Sequence, residues 1–352
     1  ALRMDSPMAD ELFPAQSGEH PIQSSMVVMD HRTGGIVAVI GGRDYVQRGL
    51  NRAVIPARQP GSTFKPLAAY APALEMGWHP YDPVKDEQRD FNGYQPRNYN
   101  NQYLGDVPMI DAIKHSYNVP AVWTLNEVGI DKGLNALERF GFGKQKRQLG
   151  LALGGDVEVS PLQMARAYGA FASEGVMMEP YLIEEIQDSK GNVMHKKELK
   201  FEQVVNAQTA WYMTRMLQSV VKEGTGRHHI RLSHEVAAKT GTVQANNNQS
   251  GAKDAWIVGY TPQYVASVWM GYEQGSASMS TSGGNHPARV FQYVMSRLLE
   301  SEPPLAFQRP EGVNELEPPV RFEPINDLHA YLRLRGNLKL AVDLDFTPQQ
   351  DN

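Results

Sequence analysis

The sequence predicts an α+β fold, an antiparallel sheet covered by helices with a helical subdomain, and three observations carry that expectation. Two short β-branched runs open the chain, a block of helix-like segments punctuated by glycine fills its middle, and three further β-type runs followed by a helix close it. Strands and helices that are segregated along the chain belong to an antiparallel sheet with helices on its faces. With 352 residues, 41% of them hydrophobic, there is enough apolar material for one large core.

The elements follow in order. Residues 24–31 and 35–42 flank Arg32-Thr33-Gly34 and read as an antiparallel hairpin. Pro60-Gly61 cannot continue a preceding element, and Pro66 is tolerable only in a first turn, so a helix starts close to Ser62. Leu67, Ala68, Ala69, Tyr70, Ala71, Ala73, Leu74 and Met76 make it apolar on nearly every face, as a buried helix is, and Pro72 predicts a kink. Residues 79–107, rich in Asn, Tyr, Gly, Pro and Asp, read as a long ordered loop, and loops of that length are usually functional. Helical segments fit residues 111–114, 121–128, 133–140, 160–173 and 207–222, with Ser160-Pro161 a strong start signal. Residues 235–242, 254–260 and 264–272 are strand-like, with a turn at Thr261-Pro262-Gln263, and a helix fits residues 287–299.

Composition bounds the function. A net charge of -5 with mixed signs gives no reason to expect nucleic acid, and the lack of cysteine excludes a thiol nucleophile, a disulfide scaffold and cysteine metal sites. The expected division is an N-terminal linker over residues 1–20, the main domain over 21–300, and a Pro-rich linker with a small appendage over 301–352, where weak strand-like alternation spans 332–344. No signal peptide is visible, no apolar run approaches the ~20 residues of a spanning helix, and the chain starts without methionine, as a piece of a longer protein would.

Chemistry concentrates at Ser62 and Lys65. Three residues apart at a helix start, they share a face, where a buried amine loses proton affinity and backbone N–H groups can receive an oxyanion. By composition S-x-x-K should occur about once by chance, and a second copy, Ser219 to Lys222, does close an amphipathic helix before Gly224 and reads as a solvated face. Two further motifs follow: Ser116-Tyr117-Asn118, and Lys239-Thr240-Gly241, a triplet expected in under ~10% of chains this long. His228, His229 and His234 lack the acidic partner and spacing of a metal site, and His115 lacks the G-x-S-x-G elbow of a triad, so neither a metal nor another cofactor is expected.

The ordered set S-x-x-K, S-x-N, K-T-G resembles the signature of the penicillin-recognising serine acyltransferases. With Gly41-Gly42-Arg43-Asp44-Tyr45, Asn51-Arg52-Ala53, Arg58-Gln59-Pro60-Gly61, Glu223-Gly224-Thr225-Gly226 and the run from Asp254 to Pro262, residues 24–299 are similar to the transpeptidase domain of bifunctional, class A penicillin-binding proteins. The resemblance implies a transpeptidase or serine β-lactamase-like fold, Ser62 as acylated nucleophile, Lys65 as base, and Ser116 as proton relay. It implies Asn118 as an amide contact, Lys239 as positive charge, and Thr240, Gly241 and Thr242 as the substrate edge, with N–H groups of Ser62 and Thr242 as oxyanion hole. The implied partners are peptidoglycan stem peptides, a D-Ala-D-Ala donor and an amine acceptor, together with β-lactams. It also implies an upstream glycosyltransferase domain and a membrane anchor on the extracytoplasmic face. A D,D-carboxypeptidase and a non-catalytic β-lactam sensor are the alternatives; a β-lactamase is disfavoured because the helical block has no E-x-x-x-N element.

Overall fold

The computed structural model of the chain describes residues 22–245, 251–272 and 278–318. Strands β1 (Gln23–Asp30) and β2 (Ile36–Ile40) form the expected hairpin, turned at Gly34, whose φ of 89° is open to glycine. The helical run expected near Ser62 begins at Gly61. A 3-10 turn, Gly61–Phe64, leads into a π segment, Pro66–Tyr70, and an α turn, Ala71–Glu75; together they are called α1. The irregularity foreseen at Pro72 is thus spread upstream. Pro72 has no N–H for the Ala68 carbonyl and its ring would press on that oxygen, so the preceding turn widens. The Ala68 carbonyl oxygen faces Gly133, where a Cβ would lie 2.8 Å away.

Within the stretch read as loop, β3 (Pro83–Asp86) and β4 (Gly105–Pro108) pair antiparallel. Each has four residues and carries proline, too short and too broken for an alternating pattern to show. Helices α2 (Met109–Lys114), α3 (Asn118–Val128) and α4 (Ile130–Arg139) follow. Helix α5 (Pro161–Ala172) starts where Ser160-Pro161 predicts, with a capping box: Ser160 Oγ accepts from Gln163 N and Gln163 Oε1 accepts from Ser160 N. Two small pairings had no sequence signal, β5 (Val176–Met178) with β8 (Phe201–Gln203) and β6 (Glu185–Gln187) with β7 (Val193–Lys196). Helix α6 (Ala207–Lys222), capped by Asn206, leads to β9 (Ala237–Gln244), β10 (Ala252–Tyr260), β11 (Tyr264–Gly271) and α7 (His286–Leu298).

The five long strands form one antiparallel sheet in the order β2-β1-β11-β10-β9. Its central strands alternate between two cores. Val27, Met29, Trp256, Val258, Tyr260, Val265 and Trp269 join the larger core with α1, α3 and α5; Met26, Val28, Ala255, Ile257, Ala266, Val268 and Met270 join Val290, Phe291 and Met295 of α7. A sheet buried on both faces reads as continuous apolar runs, which is why the strands were legible. The result is the antiparallel sheet covered by helices that the sequence predicts. Strand β9 is left at the edge of the sheet with the start of α1 packed on it.

Residues 301–316 pack back on this body. The Leu305 carbonyl accepts from Glu235 N at 3.0 Å, Phe307 meets the Tyr260 ring edge-on, and Leu316 is buried. The expected linker over 1–20 and the strand-like alternation over 332–344 lie outside the described residues. Among the described residues, no helix is long and apolar enough to cross a membrane.

Candidate active site

The first turn of α1 is pinned from three sides. Trp256 Nε1 donates to the Gln59 carbonyl at 2.8 Å, the Tyr168 hydroxyl to the Thr63 carbonyl at 2.6 Å, and Thr63 Oγ1 to the Pro60 carbonyl at 2.7 Å. Because the turn is 3-10, residues three apart eclipse, and the Lys65 N–H donates to the Ser62 carbonyl. The S-x-x-K spacing is one closed turn. Gly61 takes φ 56° against β9, where a Cβ would stand 3.1 Å from the Thr242 carbonyl oxygen. Across the contact, a Cβ on Gly241 would lie 2.7 Å from the Pro60 oxygen and 2.8 Å from Thr63 Cγ2. The glycine of K-T-G therefore serves the seating of this turn on the strand.

Lys65 leaves the turn fully buried and enters the loop between α2 and α3. Its Nζ donates to the carbonyls of Ser116 at 2.5 Å and Tyr117 at 3.0 Å and to Asn118 Oδ1 at 2.8 Å, with Ser116 Oγ 3.3 Å away. Ser116 sits at φ 60°, a left-handed conformation that a residue with a side chain holds only when its surroundings impose it. From β9, Lys239 Nζ donates to Ser116 Oγ at 2.7 Å and to the Thr240 carbonyl at 2.9 Å. The Ser116 hydroxyl thus lies between two buried amines, and among the described residues no carboxylate takes part in either amine's hydrogen bonds. Among the described residues, Lys65 is paired with Ser116, Tyr117 and Asn118, and not with the half-buried Ser62 hydroxyl.

Burial without a counter-charge, reinforced by Lys239, pushes the Lys65 pKa well below the usual lysine range, and burial brings Lys239 down to about 7. The three oxygens around Lys65 pull the other way, since only an ammonium satisfies all three, but desolvation and a like charge prevail. Two cations facing one hydroxyl titrate as a pair.

The remaining predicted residues line the same wall. Thr240 Oγ1 shares a hydrogen bond of 2.6 Å with Thr225 Oγ1, and Thr242 Oγ1 accepts from Gly283 N at 3.2 Å. Gly224 lets the chain pass close under the Lys114 carbonyl, which also accepts from Thr225 N. The second S-x-x-K copy stays apart from the cluster: Ser219 Oγ turns back to the Met216 carbonyl and Lys222 is exposed. His115 stacks near the Tyr117 ring, with its pKa lowered first by burial and then by Lys114. His228 accepts from Arg227 and His234 pairs with Ser233; among the described residues no three His, Asp or Glu side chains converge as metal ligands would.

Thr225 and Trp256 lie in stretches that carry the resemblance but were given no site role, and Tyr168, Asn98 and Asp86 were not singled out at all. The last two lie in the long polar loop, whose length was their only signal. No spacing could link them to Asn118, because Asn98 reaches it across the fold and Asp86 acts on it only through Asn98.

Comparison with known proteins gives the family. The family model described as the penicillin binding protein transpeptidase domain matches residues 24–296. Penicillin-binding protein 1F of Bacillus subtilis is 41% identical over 94% of this chain, and penicillin-binding protein 2a of Streptococcus pneumoniae 36% identical over 84%. The chain spans less than half the length of these curated relatives, 46% and 42%. Penicillin-binding protein 1A from Haemophilus influenzae superposes with a TM-score of 0.74 at 26% identity, over 83% of this chain and 50% of that one. PonA1 from Mycobacterium tuberculosis, solved with penicillin V, superposes with 0.78 at 22% identity over 89% and 87%, a likeness of fold. With the family model spanning residues 24–296 and relatives 41% and 36% identical over most of its length, the chain belongs to the penicillin-binding protein transpeptidase domain family.

Proposed function

We propose that this domain is a serine D,D-transpeptidase that works through a Ser62 acyl-enzyme. The observation that carries the reading is the Ser116 hydroxyl held between Lys65 and Lys239, both fully buried. An amine with depressed proton affinity can act as base near neutral pH, and a hydroxyl between two amines can pass a proton in either direction.

Ser62 Oγ attacks the carbonyl carbon of the D-Ala-D-Ala bond, giving its proton to Lys65. N–H groups of Ser62 and Thr242 receive the oxyanion. The tetrahedral centre collapses to an ester on Ser62; the C–N bond breaks, and a proton delivered through Ser116 leaves with the terminal D-Ala as amine. A stem-peptide amine then attacks the ester, forms the cross-link and returns the proton to Ser62 Oγ. Lys239, Thr240 and Thr242 hold the terminal carboxylate, Asn118 contacts the donor backbone, and Gly241 lies on the edge that the donor strand follows. A β-lactam follows the first half-reaction, but its cleaved nitrogen stays tethered and the ester persists.

The relatives' names support β-lactam recognition, and the chain spans less than half of their length, which leaves room for the upstream glycosyltransferase domain and the extracytoplasmic membrane anchor that the resemblance implies. The proposed division is a linker over 1–20, the transpeptidase over 21–300 and an appendage over 301–352, whose first residues, 301–316, pack on the transpeptidase body.

Intact mass after incubation with penicillin, followed by peptide mapping, tests the reading. One adduct on Ser62 that outlives the incubation is expected. Label on Ser219, no label, or rapid turnover of penicillin overturns it.

A further inference from the structure

Helix α3, which carries Asn118, is not capped by its own sequence. Its N-cap position is Tyr117, whose side chain makes no capping bond, so the first N–H groups of the helix need acceptors from elsewhere. Asn98 supplies one. Its Oδ1 accepts from Asn118 N at 2.8 Å and from Val119 N at 3.1 Å. Its Nδ2 donates to Asp86 Oδ1 at 2.6 Å and to the Gln102 carbonyl at 2.8 Å, so the carboxamide is fully used. Asp86 Oδ2 in turn accepts from Leu104 N at 3.1 Å. Asp86 is 0% and Asn98 2% exposed.

The neighbouring carbonyl acts on the same target. Arg97 O accepts from Asn118 Nδ2 at 2.8 Å, which turns Asn118 Oδ1 toward Lys65. Two consecutive residues of the long polar loop thus grip Asn118 by backbone and by side chain. The β3–β4 pairing, with Asp86 opposite Gly105, frames the grip.

We propose that Asn98, held by Asp86, is a positioning residue for acylation: capping α3 from across the fold, it fixes the strained Ser116 turn and the Asn118 carboxamide against Lys65. The proposal deepens the Ser62 acyl-enzyme reading and rests on it. Catalytic groups need their geometry held to fractions of an ångström, and second-layer hydrogen bonds supply that hold.

The test is the rate of acylation of the whole chain by a fluorescent penicillin, measured across pH beside melting curves. In Asn98→Asp one oxygen still caps α3, but the other meets Asp86 where an N–H donated before, so the two carboxyl groups must share a proton. The other titratable groups that feel Asp86 are Tyr70 on α1 and Tyr117, whose phenols burial pushes upward, away from this window. The ratio of variant to wild-type rate should therefore be highest at low pH, short of one because a single O–H cannot also serve the Gln102 carbonyl, and fall as pH rises and the shared proton leaves. Asn98→Ala should be slower by ~10–100-fold at every pH. Asp86→Asn keeps the shape and weakens the grip; it should slow acylation several-fold, and it carries the test if Asn98→Asp does not fold.

A purely structural role would lower melting temperature and the labelled fraction while the folded fraction reacted at the wild-type rate with the wild-type pH profile. That result, or unchanged rates in the variants, overturns the proposal. A wild-type chain that takes no label on Ser62 sinks both readings, whereas a normally labelled wild type with normal variants sinks only the role of Asn98.

Discussion

Ser62 and Lys65 occupy a closed 3-10 turn from which the lysine runs into a dry, carbonyl-lined site, whereas Ser219 and Lys222, at the same spacing, close the 16-residue helix α6 with the lysine in solvent. Both pairs put a hydroxyl and an amine on one face. What separates them is the surroundings: the turn of the first pair is pinned by Trp256 and Tyr168 and backed by β9, while Ser219 bonds its own helix. Spacing brings two groups together, but burial without a counter-charge changes the amine's chemistry. The second copy still matters to the first through the chain that follows it, since Gly224 and Thr225 meet the Lys114 carbonyl, two residues before Ser116.

The largest contrast should come from the lysines. Removing a general base costs on the order of 10²- to 10⁴-fold, so Lys65→Ala should slow acylation by that much, while Lys222→Ala should stay within about twofold. Stopped-flow labelling with melting curves on both variants checks this. Comparable losses would erase the distinction between the copies.

A smaller effect concerns pH. Lys239, with its pKa near 7, is charged below that value and neutral above it. Read as the charge that holds a substrate carboxylate, it should let the second-order acylation rate fall as pH rises past about 7. That rate constant reports ionisations of the free enzyme. Lys239→Arg keeps its charge at every accessible pH and should remove the alkaline limb, whereas Lys222→Arg should leave the profile alone. A limb that survives in Lys239→Arg belongs to another group.

The smallest effect isolates the seating of the first turn. Gly154 has φ 71°, and a Cβ there would lie 2.8 Å from Pro60 Cγ and 2.9 Å from Gly61 N. Gly154→Ala should cost ~1–3 kcal/mol and slow acylation as the turn shifts. Gly143, at φ 66° with nothing within 4 Å of its missing Cβ, is the control for backbone strain alone. Gly143→Ala should lower the melting temperature and leave the acylation rate unchanged; equal kinetic losses would mean the Pro60 contact has no special role.

Much of the fold was legible because its signals are local. The sheet strands were visible as apolar runs, α5 announced itself through Ser160 and Pro161, and the start of α1 lay between two prolines. The β3–β4 pairing and the two other small ladders were not, because three or four residues hold too few periods to read. The candidate site divides the same way. Ser62, Lys65, Ser116, Asn118 and the Lys239 triplet stood out as motifs, while Asn98 and Asp86 looked like any polar loop residues.

Chain order, helix starts, strand faces and the motif residues follow from the sequence by itself, since they depend on neighbours a few positions away. Which lysine is dry, why Ser116 is strained and what caps α3 were decided only in the tertiary structure. Lys65 and Lys239 reach Ser116 across 51 and 123 residues, and Asn98 reaches Asn118 across 20. Desolvation belongs to the assembled surroundings, and no spacing along the chain encodes it.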